Sequence, residues 1–222
     1  MNELRLILFD CDGTLVDGLR HHVTAMGETF REHGQTAPEE AALRALVGLN
    51  LEVTMRHLAP ELSAGDHVEL AQTYRLIYRR MRAAGEIDEP LFPAAKETVH
   101  ALADAGYVLG IATGKGRPGV DHLIDAHGFE GVFSTIQTPN NAPGKPHPGM
   151  VEQGMAETGA TRENTVVVGD TVFDIEMAQN ARVTSIGVSW GFHPVSALQD
   201  AGAARLIDHF DELAPTLNGL WA

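Results

Sequence analysis

Two aspartates follow directly after an apolar segment near the start of the chain. The segment at 4–9 predicts a buried β-strand; Asp10 and Asp12 come next, and Gly13 indicates a turn. Residues at the carboxyl end of such a strand lie at the edge where open α/β sheets bind ligands. Because one carboxylate can attack while the other moves protons, the pair predicts phosphoryl chemistry. A merely polar turn stays open as the alternative.

A divalent cation is expected beside these two carboxylates. Acids this close in a partly desolvated site disfavour each other's ionisation unless a positive charge compensates. The whole chain is acidic, with 30 Asp plus Glu against 16 Lys plus Arg and a formal charge of -14. Mg²⁺ prefers such oxygen ligands, so we expect magnesium at this site.

Three later segments add polar residues at predicted strand ends or ahead of a predicted helix. The hydroxyl of Thr113 and the backbone at Gly114 could hold a phosphate oxygen, although threonines in this position are more often helix caps. Lys145 could neutralise a phosphoryl group or a reactive aspartate, or lie in an ordinary surface turn. Asp170 and Asp174 are one helical turn apart, which predicts a second metal ligand or a helix cap.

The order of strands and helices predicts the fold class. Strands are predicted at 107–112, 132–135, 165–168, 184–188 and 205–207, with helices at 118–127, 147–158 and 171–180 and at the end of the chain. Strands that alternate with helices imply crossover connections and a mostly parallel sheet. We therefore expect an α/β protein with a doubly wound, Rossmann-like core.

An inserted helical unit is predicted between the first strand and this core. The segment 18–85 has helical periodicity and no convincing strand, with shorter helices predicted at 38–47 and 51–58 and helix ends near Gly34 and Gly85. Two prolines predict a return linker at 86–93. The predicted units are a core at 1–17 and 91–222 and a helical cap at 18–86.

Composition excludes several classes of function. Hydrophobic residues make up 44% of the chain, yet it has no apolar run of membrane length and no signal-peptide pattern at Met1-Asn2-Glu3. We therefore expect a cytoplasmic protein. The strong net acidity argues against binding to nucleic acid or to an anionic membrane. Cys11, the single cysteine, cannot form an internal disulfide. A monomer and a homodimer both stay open.

Four parts of the chain together resemble the motifs of a known superfamily. The run at 10–14, then Thr113, Lys145 and the run at 169–174 are similar, in this order, to the four motifs of the haloacid dehalogenase-like hydrolase superfamily. The resemblance covers nearly the whole chain. It is strongest to the branch with a helical cap after the first motif, which contains phosphoglycolate phosphatase.

This resemblance implies a phosphatase that acts on a small phosphorylated metabolite similar to phosphoglycolate. Asp10 would attack phosphorus and become an aspartyl phosphate, while Asp12 would protonate the leaving oxygen and later activate water. The helical cap would close over the site and exclude bulk water.

The resemblance also implies a ligand set. Mg²⁺ would be held by the carboxylates of Asp10 and Asp170 and by the backbone carbonyl of Asp12, with Asp174 acting through water or steering Lys145. Thr113, Gly114 and Lys145 would bind the phosphoryl group. Arg44 and Asn50 flank the cap loop at 46–50, and by analogy they are candidates for reading the leaving group.

Several other functions compete with the phosphatase. Sugar-phosphate mutases resemble the chain through the core, but they carry a cap lysine where Val47 stands. Receiver-type signalling modules also use clustered Asp, Thr and Lys, but they lack a cap of this size. The glycine pattern at 114–119 matches a dinucleotide fingerprint without the acid that should follow it. A cysteine phosphatase would need an arginine where Asp17 stands.

Four arginines near the end of the predicted cap could serve either of two purposes. They could attract an anionic substrate, but a solvated helix face is the favoured interpretation for Arg75, Arg79, Arg80 and Arg82. The pair His21 and His22 follows the first motif closely enough for one of them to reach a substrate.

Overall fold

The computed structural model describes residues 4–221. Residues 1–3, where the sequence shows no signal-peptide pattern, and residue 222 lie outside the described residues, although both fall within the predicted core boundaries. The residue boundaries of core, cap and linker remain predictions.

Six parallel strands form one sheet in the order β3-β2-β1-β4-β5-β6. The strands are β1 Leu6–Phe9, β2 Val108–Ala112, β3 Phe133–Gln137, β4 Thr165–Gly169, β5 Thr184–Val188 and β6 Arg205–Ile207. Strand β1 lies at the centre, where Phe9 pairs with Ile111 of β2 and Val168 of β4. The residues that follow these three strands therefore meet at one edge of the sheet.

Ten α-helices cover the sheet and form the insertion within the described residues. They are α1 Leu19–Glu32, α2 Glu40–Arg44, α3 Leu51–Leu58, α4 Ala64–Ala83, α5 Ala95–Asp104, α6 Arg117–His127, α7 Gly149–Thr158, α8 Val172–Ala181, α9 Val195–Asp200 and α10 Leu213–Leu220. Helices α5 and α9 were not predicted from the sequence. None of the helices between residues 4 and 221 combines the length and apolarity needed to cross a membrane.

Alternate residues of the central strand bury on opposite faces of the sheet. Ile7 and Phe9 pack with the cluster that includes residues of α5, α6 and α10. Leu6 and Leu8 pack with the cluster formed by α7 and α8. All four side chains are fully buried. A strand covered on both faces is the mark of a doubly wound parallel sheet, so the predicted fold class is confirmed.

Helices α1 to α4 form the cap around a hydrophobic core of their own. Met26, Met55 and Ile77 are among its buried members. Helix α2 is shorter than predicted, because the chain leaves it at Ala45 and turns through Gly48, whose φ is +96°. A smaller apolar cluster joins the cap to the core. The cap is thus a helical insertion with one face on the carboxyl edge of the sheet.

Candidate active site

Asp10 lies at the tip of the central strand and is bonded to a buried lysine. Lys145 Nζ lies 2.9 Å from Asp10 Oδ1 and 2.6 Å from Asp174 Oδ1. The other oxygen of Asp174 accepts hydrogen bonds from the backbone and hydroxyl of Thr171, which caps α8. Asp174 Oδ2 therefore accepts two hydrogen bonds, and Oδ1 faces the ammonium group of Lys145. This arrangement favours a role in steering Lys145 over direct metal ligation.

Asp170 is held at the end of β4 by two hydrogen bonds. Its Oδ1 accepts from the hydroxyl of Thr14 at 2.8 Å, and its Oδ2 accepts from the backbone nitrogen of Phe192 at 2.8 Å. The turn residue Gly13 has a φ of +88°, and a side chain there would overlap the Asp170 carboxylate. The glycine after the first aspartates therefore lets the strand ends of β1 and β4 approach closely.

These carboxylates form a cluster with surplus negative charge. One oxygen from each of Asp10, Asp170 and Asp174 lies within 4.8 Å of the other two. Lys145 is the lysine paired with the cluster. Asp10 Oδ2 is buried and has no hydrogen-bond partner among the described residues. Three buried acids that share one lysine fit a divalent cation with oxygen ligands.

The electrostatics of the cluster support the same interpretation. Burial raises the pKa of Asp10 to about 6, with Lys145 opposing and Asp174 adding to this rise. Burial and the two neighbouring carboxylates raise the pKa of Asp170 well above its usual range. Burial would lower the pKa of Lys145, but Asp10 and Asp174 outweigh it and hold that pKa high. A bound cation would relieve the cost of ionising these acids.

Asp12 lies in a second cluster, away from these acids. Its Oδ1 is 2.8 Å from Lys115 Nζ, and the same nitrogen is 2.8 Å from Oε1 of Glu89 in the linker. His22 Nε2 lies 3.4 Å from Asp12 Oδ2. Burial alone would raise the pKa of Asp12, but Lys115 and His22 outweigh it and hold that pKa well below its usual value.

The loop at 46–50 of the cap passes directly over Asp10. A Cβ placed on Gly48 would lie 3.9 Å from Asp10 Oδ2, and one on Gly114 would overlap the backbone of Gly48. Thr113 is buried at the end of β2, where its hydroxyl accepts a hydrogen bond from the backbone of Lys115 at 3.1 Å. The predicted phosphate-binding residues and Asp10 thus meet beneath the cap.

A cavity of about 610 Å³ separates the cap from the strand ends. Its lining includes Asp10, Asp12, Thr113, Gly114, His22 and Asn50. Arg56, Arg75, Arg79 and Arg82 also line it. Three of the four arginines interpreted as a solvated helix face therefore reach the cavity, whereas Arg80 pairs with Glu28 on the surface. The helix periodicity alone does not show which of its faces meets the core.

Comparison with known proteins identifies the family. Residues 7–188 match the family model described as haloacid dehalogenase-like hydrolase. The chain belongs to this family. The "Probable phosphatase IndB" of Dickeya dadantii is 31% identical over 217 residues, which cover 97% of this chain and 94% of that protein. A phosphoglycolate phosphatase of Vibrio cholerae is 30% identical, with 87% of this chain and 88% of that protein covered.

Solved structures share the fold across nearly the whole chain. A family hydrolase from Streptococcus pneumoniae superposes with a TM-score of 0.82 at 25% identity, covering 97% of this chain and 99% of that one. A hydrolase from Pseudomonas syringae gives a TM-score of 0.85 at 22% identity, with 98% and 99% covered. The family predicted from the four motifs is confirmed.

Two predicted substrate contacts have other bonds in the structure. Arg44 does not line the cavity; its guanidinium donates to the backbone oxygens of Phe192 and Gly191, each at 3.1 Å. Asn50 lines the cavity, but its side-chain oxygen caps α3 by accepting from the backbone of Glu52 at 2.9 Å. Arg44 therefore joins the cap to the core, and Asn50 keeps its amide nitrogen and one lone pair of its oxygen for a ligand.

Cys11 points away from the cavity into the core of the sheet. Its side chain is fully buried within the larger hydrophobic cluster. Burial raises the pKa of the thiol far above its usual range, and the neighbouring Asp10 and Asp12 add to this rise. A thiol in this state is not a nucleophile, in agreement with the rejection of a cysteine phosphatase.

The second cluster contains residues that the sequence did not single out as catalytic. Lys115 lies within the glycine pattern at 114–119, and Glu89 lies in the predicted linker. Lys115 comes two residues after Thr113, and this closeness to a predicted site residue is the one local sign in the sequence that Lys115 belongs to the site. No local signal marks Glu89, because its partners come from segments 26 and 11 residues away.

Proposed function

We propose that this protein is a Mg²⁺-dependent phosphomonoesterase that acts on a small phosphorylated metabolite through an aspartyl phosphate on Asp10. The observation that carries the proposal is the state of the Asp10 carboxylate. Oδ1 is bonded to Lys145, whereas Oδ2 is buried, has no hydrogen-bond partner within residues 4–221 and lies below the cavity. One oxygen is thus held and the other remains available to attack phosphorus.

Lys145 and Thr113 are suited to hold the phosphoryl group during this attack. Lys145 is fully buried, and its three ammonium protons can be shared between Asp10, Asp174 and a phosphoryl oxygen. Donors that are fixed before the reaction stabilise the charge that develops on the transferring group. Thr113, which lines the cavity beside them, offers a hydroxyl on the other side.

Asp10 and Asp170 are the residues best suited to hold Mg²⁺, and the backbone carbonyl of Asp12 is proposed as a third ligand. Each oxygen of Asp170 has one hydrogen bond and one further lone pair. When bound, the cation would neutralise charge on the phosphoryl oxygens and on the nucleophile. Asp174 is proposed to act through Lys145 or through a water molecule.

Asp12 is placed to serve the leaving group. It lines the cavity at the side that faces His22 and the cap, and Asp10 lies two residues before it. We propose that Asp12, which Lys115 and His22 keep ionised, takes the proton of a monoanionic phosphate ester and passes it to the leaving oxygen, and then removes a proton from the attacking water. The cap covers both steps and limits the access of bulk water.

The cavity favours a small substrate whose leaving group is itself anionic. Arg79 and Arg56 line it and have no ion-pair partner in the part of the chain that the structure describes, and the buried Nε of Arg82 has no hydrogen-bond partner there. Unpaired arginines in a chain of charge -14 favour an anionic ligand. A phosphorylated hydroxy acid such as phosphoglycolate has this chemistry, and one of the relatives carries that name.

The test is a phosphate-release screen over phosphoglycolate, sugar phosphates, nucleotides and pyrophosphate, with Mg²⁺ and with EDTA. We expect Mg²⁺-dependent release, fastest for a small anionic ester. Asp10→Asn should lower turnover by at least ~10³-fold, the scale seen when a nucleophile is removed. Asp17→Asn is the matched control, since Asp17 is exposed in the same segment. Near-normal activity of Asp10→Asn, or conversion of a sugar 1-phosphate to its isomer without free phosphate, would reject the proposal.

A further inference from the structure

Lys115 occupies a position that the proposed function does not explain. The chain has three lysines, and two of them, Lys115 and Lys145, are buried between carboxylates. Lys145 contacts the proposed nucleophile. Lys115 instead contacts Asp12 and Glu89, and desolvating a lysine is costly unless its partners are well placed. The buried charge of Lys115 therefore indicates that this residue has a function.

The contacts around Lys115 join three parts of the molecule, namely core, linker and cap. Lys115 follows β2 in the core, and Glu89 belongs to the linker that returns from the cap. Tyr78 of α4 in the cap donates to Glu89 Oε1 at 2.6 Å. The chain of contacts from Asp12 through Lys115 and Glu89 to Tyr78 thus runs from the catalytic edge of the core to the cap.

We propose that Lys115 is a positioning residue that holds Asp12 against the leaving group, and that Glu89 and Tyr78 fix Lys115 when the cap is seated on the core. This inference rests on the proposed phosphatase function. Lys115 itself touches neither the phosphoryl group nor the nucleophile in this assignment. It acts by fixing the orientation of one carboxylate.

The geometry assigns different tasks to the two oxygens of Asp12. Oδ1 is anchored by Lys115 at 2.8 Å. Oδ2 faces His22 at 3.4 Å, a distance too long for a strong hydrogen bond, and His22 is itself held by Tyr74 at 2.6 Å through its other ring nitrogen. Oδ2 is therefore the oxygen that exchanges a proton with the leaving group and with water.

Gly18 gives an independent sign that the position of Asp12 is tightly set. A Cβ at Gly18 would lie 3.0 Å from Asp12 Oδ1 and 3.3 Å from Glu89 Oε1. The backbone dihedrals of Gly18 are open to alanine, so only these contacts oppose a side chain. The same two carboxylate oxygens that bind Lys115 are thus packed from the opposite side by the start of α1.

Substrates with different leaving groups distinguish a role of Lys115 in positioning Asp12 from a general structural role of Lys115. An alkyl phosphate needs a proton on its leaving oxygen, whereas p-nitrophenol is acidic enough to leave as an anion. We therefore compare kcat/KM for the fastest alkyl phosphate of the screen above with kcat/KM for p-nitrophenyl phosphate, in Lys115→Met and Gly18→Ala. Both constants report on the first phosphoryl transfer, which is the step that needs the acid.

For Lys115→Met we expect kcat/KM to fall by about 10²-fold on the alkyl phosphate, the lower end of general acid catalysis, and by less than about fivefold on p-nitrophenyl phosphate. Gly18→Ala, which keeps the lysine but displaces the carboxylate, should show the same preference with a smaller loss. Lys96→Met, at an exposed lysine, is the matched control and should change neither value.

The outcomes distinguish this inference from the proposed function. If the wild-type protein releases phosphate from no ester, the phosphatase itself is wrong. If it does, but Lys115→Met keeps both activities or loses both equally, Lys115 does not position the acid. Should Lys115→Met fail to fold, as judged by thermal unfolding, Gly18→Ala decides alone: equal losses on the two substrates overturn the inference.

Discussion

Two buried lysines in this molecule have nearly the same surroundings but different charge balances. Lys145 lies between Asp10 and Asp174 with Asp170 nearby, so three carboxylates share one ammonium group. Lys115 lies between two carboxylates only, and His22 and Tyr78 add hydrogen-bonding groups around them. The first cluster retains a negative surplus that invites a cation. The second has a smaller surplus, two carboxylates against one ammonium group.

The two clusters also differ in where their residues originate. In the Lys145 cluster, Asp10 and Asp170 follow strand ends of one sheet, and Asp174 lies in the first turn of α8. The sheet register therefore fixes these acids without the cap. The Lys115 cluster combines core, linker and cap. We infer that the first is a rigid site for phosphoryl and metal binding, and that the second depends on how the cap is seated.

Replacing each lysine tests this division, and the largest effect is expected at the first. Lys145→Met should lower kcat/KM by about 10²–10³-fold on both p-nitrophenyl phosphate and the alkyl phosphate, because both need the phosphoryl charge stabilised. Lys115→Met should discriminate between them. Steady-state kinetics on the two substrates measures the difference. Sparing of p-nitrophenyl phosphate hydrolysis in Lys145→Met would contradict the separate roles of the two clusters.

The pH dependence of stability in EDTA should have opposite signs in the two clusters. The pKa of Asp10 is raised to about 6 in the folded state, so its stabilising contribution is lost as the pH rises from about 4 through 6. The pKa of Asp12 is lowered, so its contribution is present above about pH 4 and is lost in stronger acid.

Urea unfolding between pH 4.5 and 7.5 measures the pH-dependent contribution of Asp10 and the constant contribution of Asp12. Relative to the wild type, Asp10→Asn should gain stability as the pH rises, by up to roughly 3 kcal/mol at neutral pH. Asp12→Asn should instead be destabilised throughout this range, because it leaves Lys115 short of a partner. Parallel pH profiles for the two variants would show that the clusters are not electrostatically distinct.

The same contrast explains how much could be predicted from the sequence. Strand ends in a parallel sheet leave local signals, an apolar run followed by polar residues, so Asp10, Asp170 and their sheet edge were predictable. Two helices were missed for different reasons. Helix α5 buries Ala95, Val99 and Leu102 with ordinary helical spacing, so the sequence does carry a signal for it. Helix α9 has only six residues, too few to establish a period.

The contacts between cap and core could not be predicted from local patterns. They depend on which helix face meets the core, and the periodicity of one helix does not determine that. Arg44 was predicted to contact substrate and instead bonds to a core loop 147 residues away. Glu89 lies in a segment that the prolines marked only as a linker. Long-range pairing of this kind leaves no trace in spacing along the chain.

Magnesium should stabilise the protein through the first cluster alone. At a Mg²⁺ concentration 100 times its Kd, binding adds about 2.7 kcal/mol, which for a chain of this size raises Tm by roughly 5–10 °C over EDTA. Asp170→Asn should abolish the shift, because it removes a proposed ligand. Glu89→Gln, in the second cluster, should retain it. If the shift in Tm is kept in Asp170→Asn and lost in Glu89→Gln, the cation binds to the second cluster and the prediction is wrong.

The smallest expected effect concerns the contact that links the cap to the loop at Gly191 and Phe192. Arg44→Ala removes two hydrogen bonds to Gly191 and Phe192, and the Phe192 backbone in turn donates to Asp170. We expect a loss of about 1–2 kcal/mol in unfolding free energy and a weaker Tm response to Mg²⁺, because the loop that fixes Asp170 is loosened. Arg117→Ala, which removes an exposed ion pair with Asp121, is the control and should cost less than about 0.5 kcal/mol. Equal Mg²⁺ responses in Arg44→Ala and the wild type would mean that the rigid cluster holds its geometry without help from the cap.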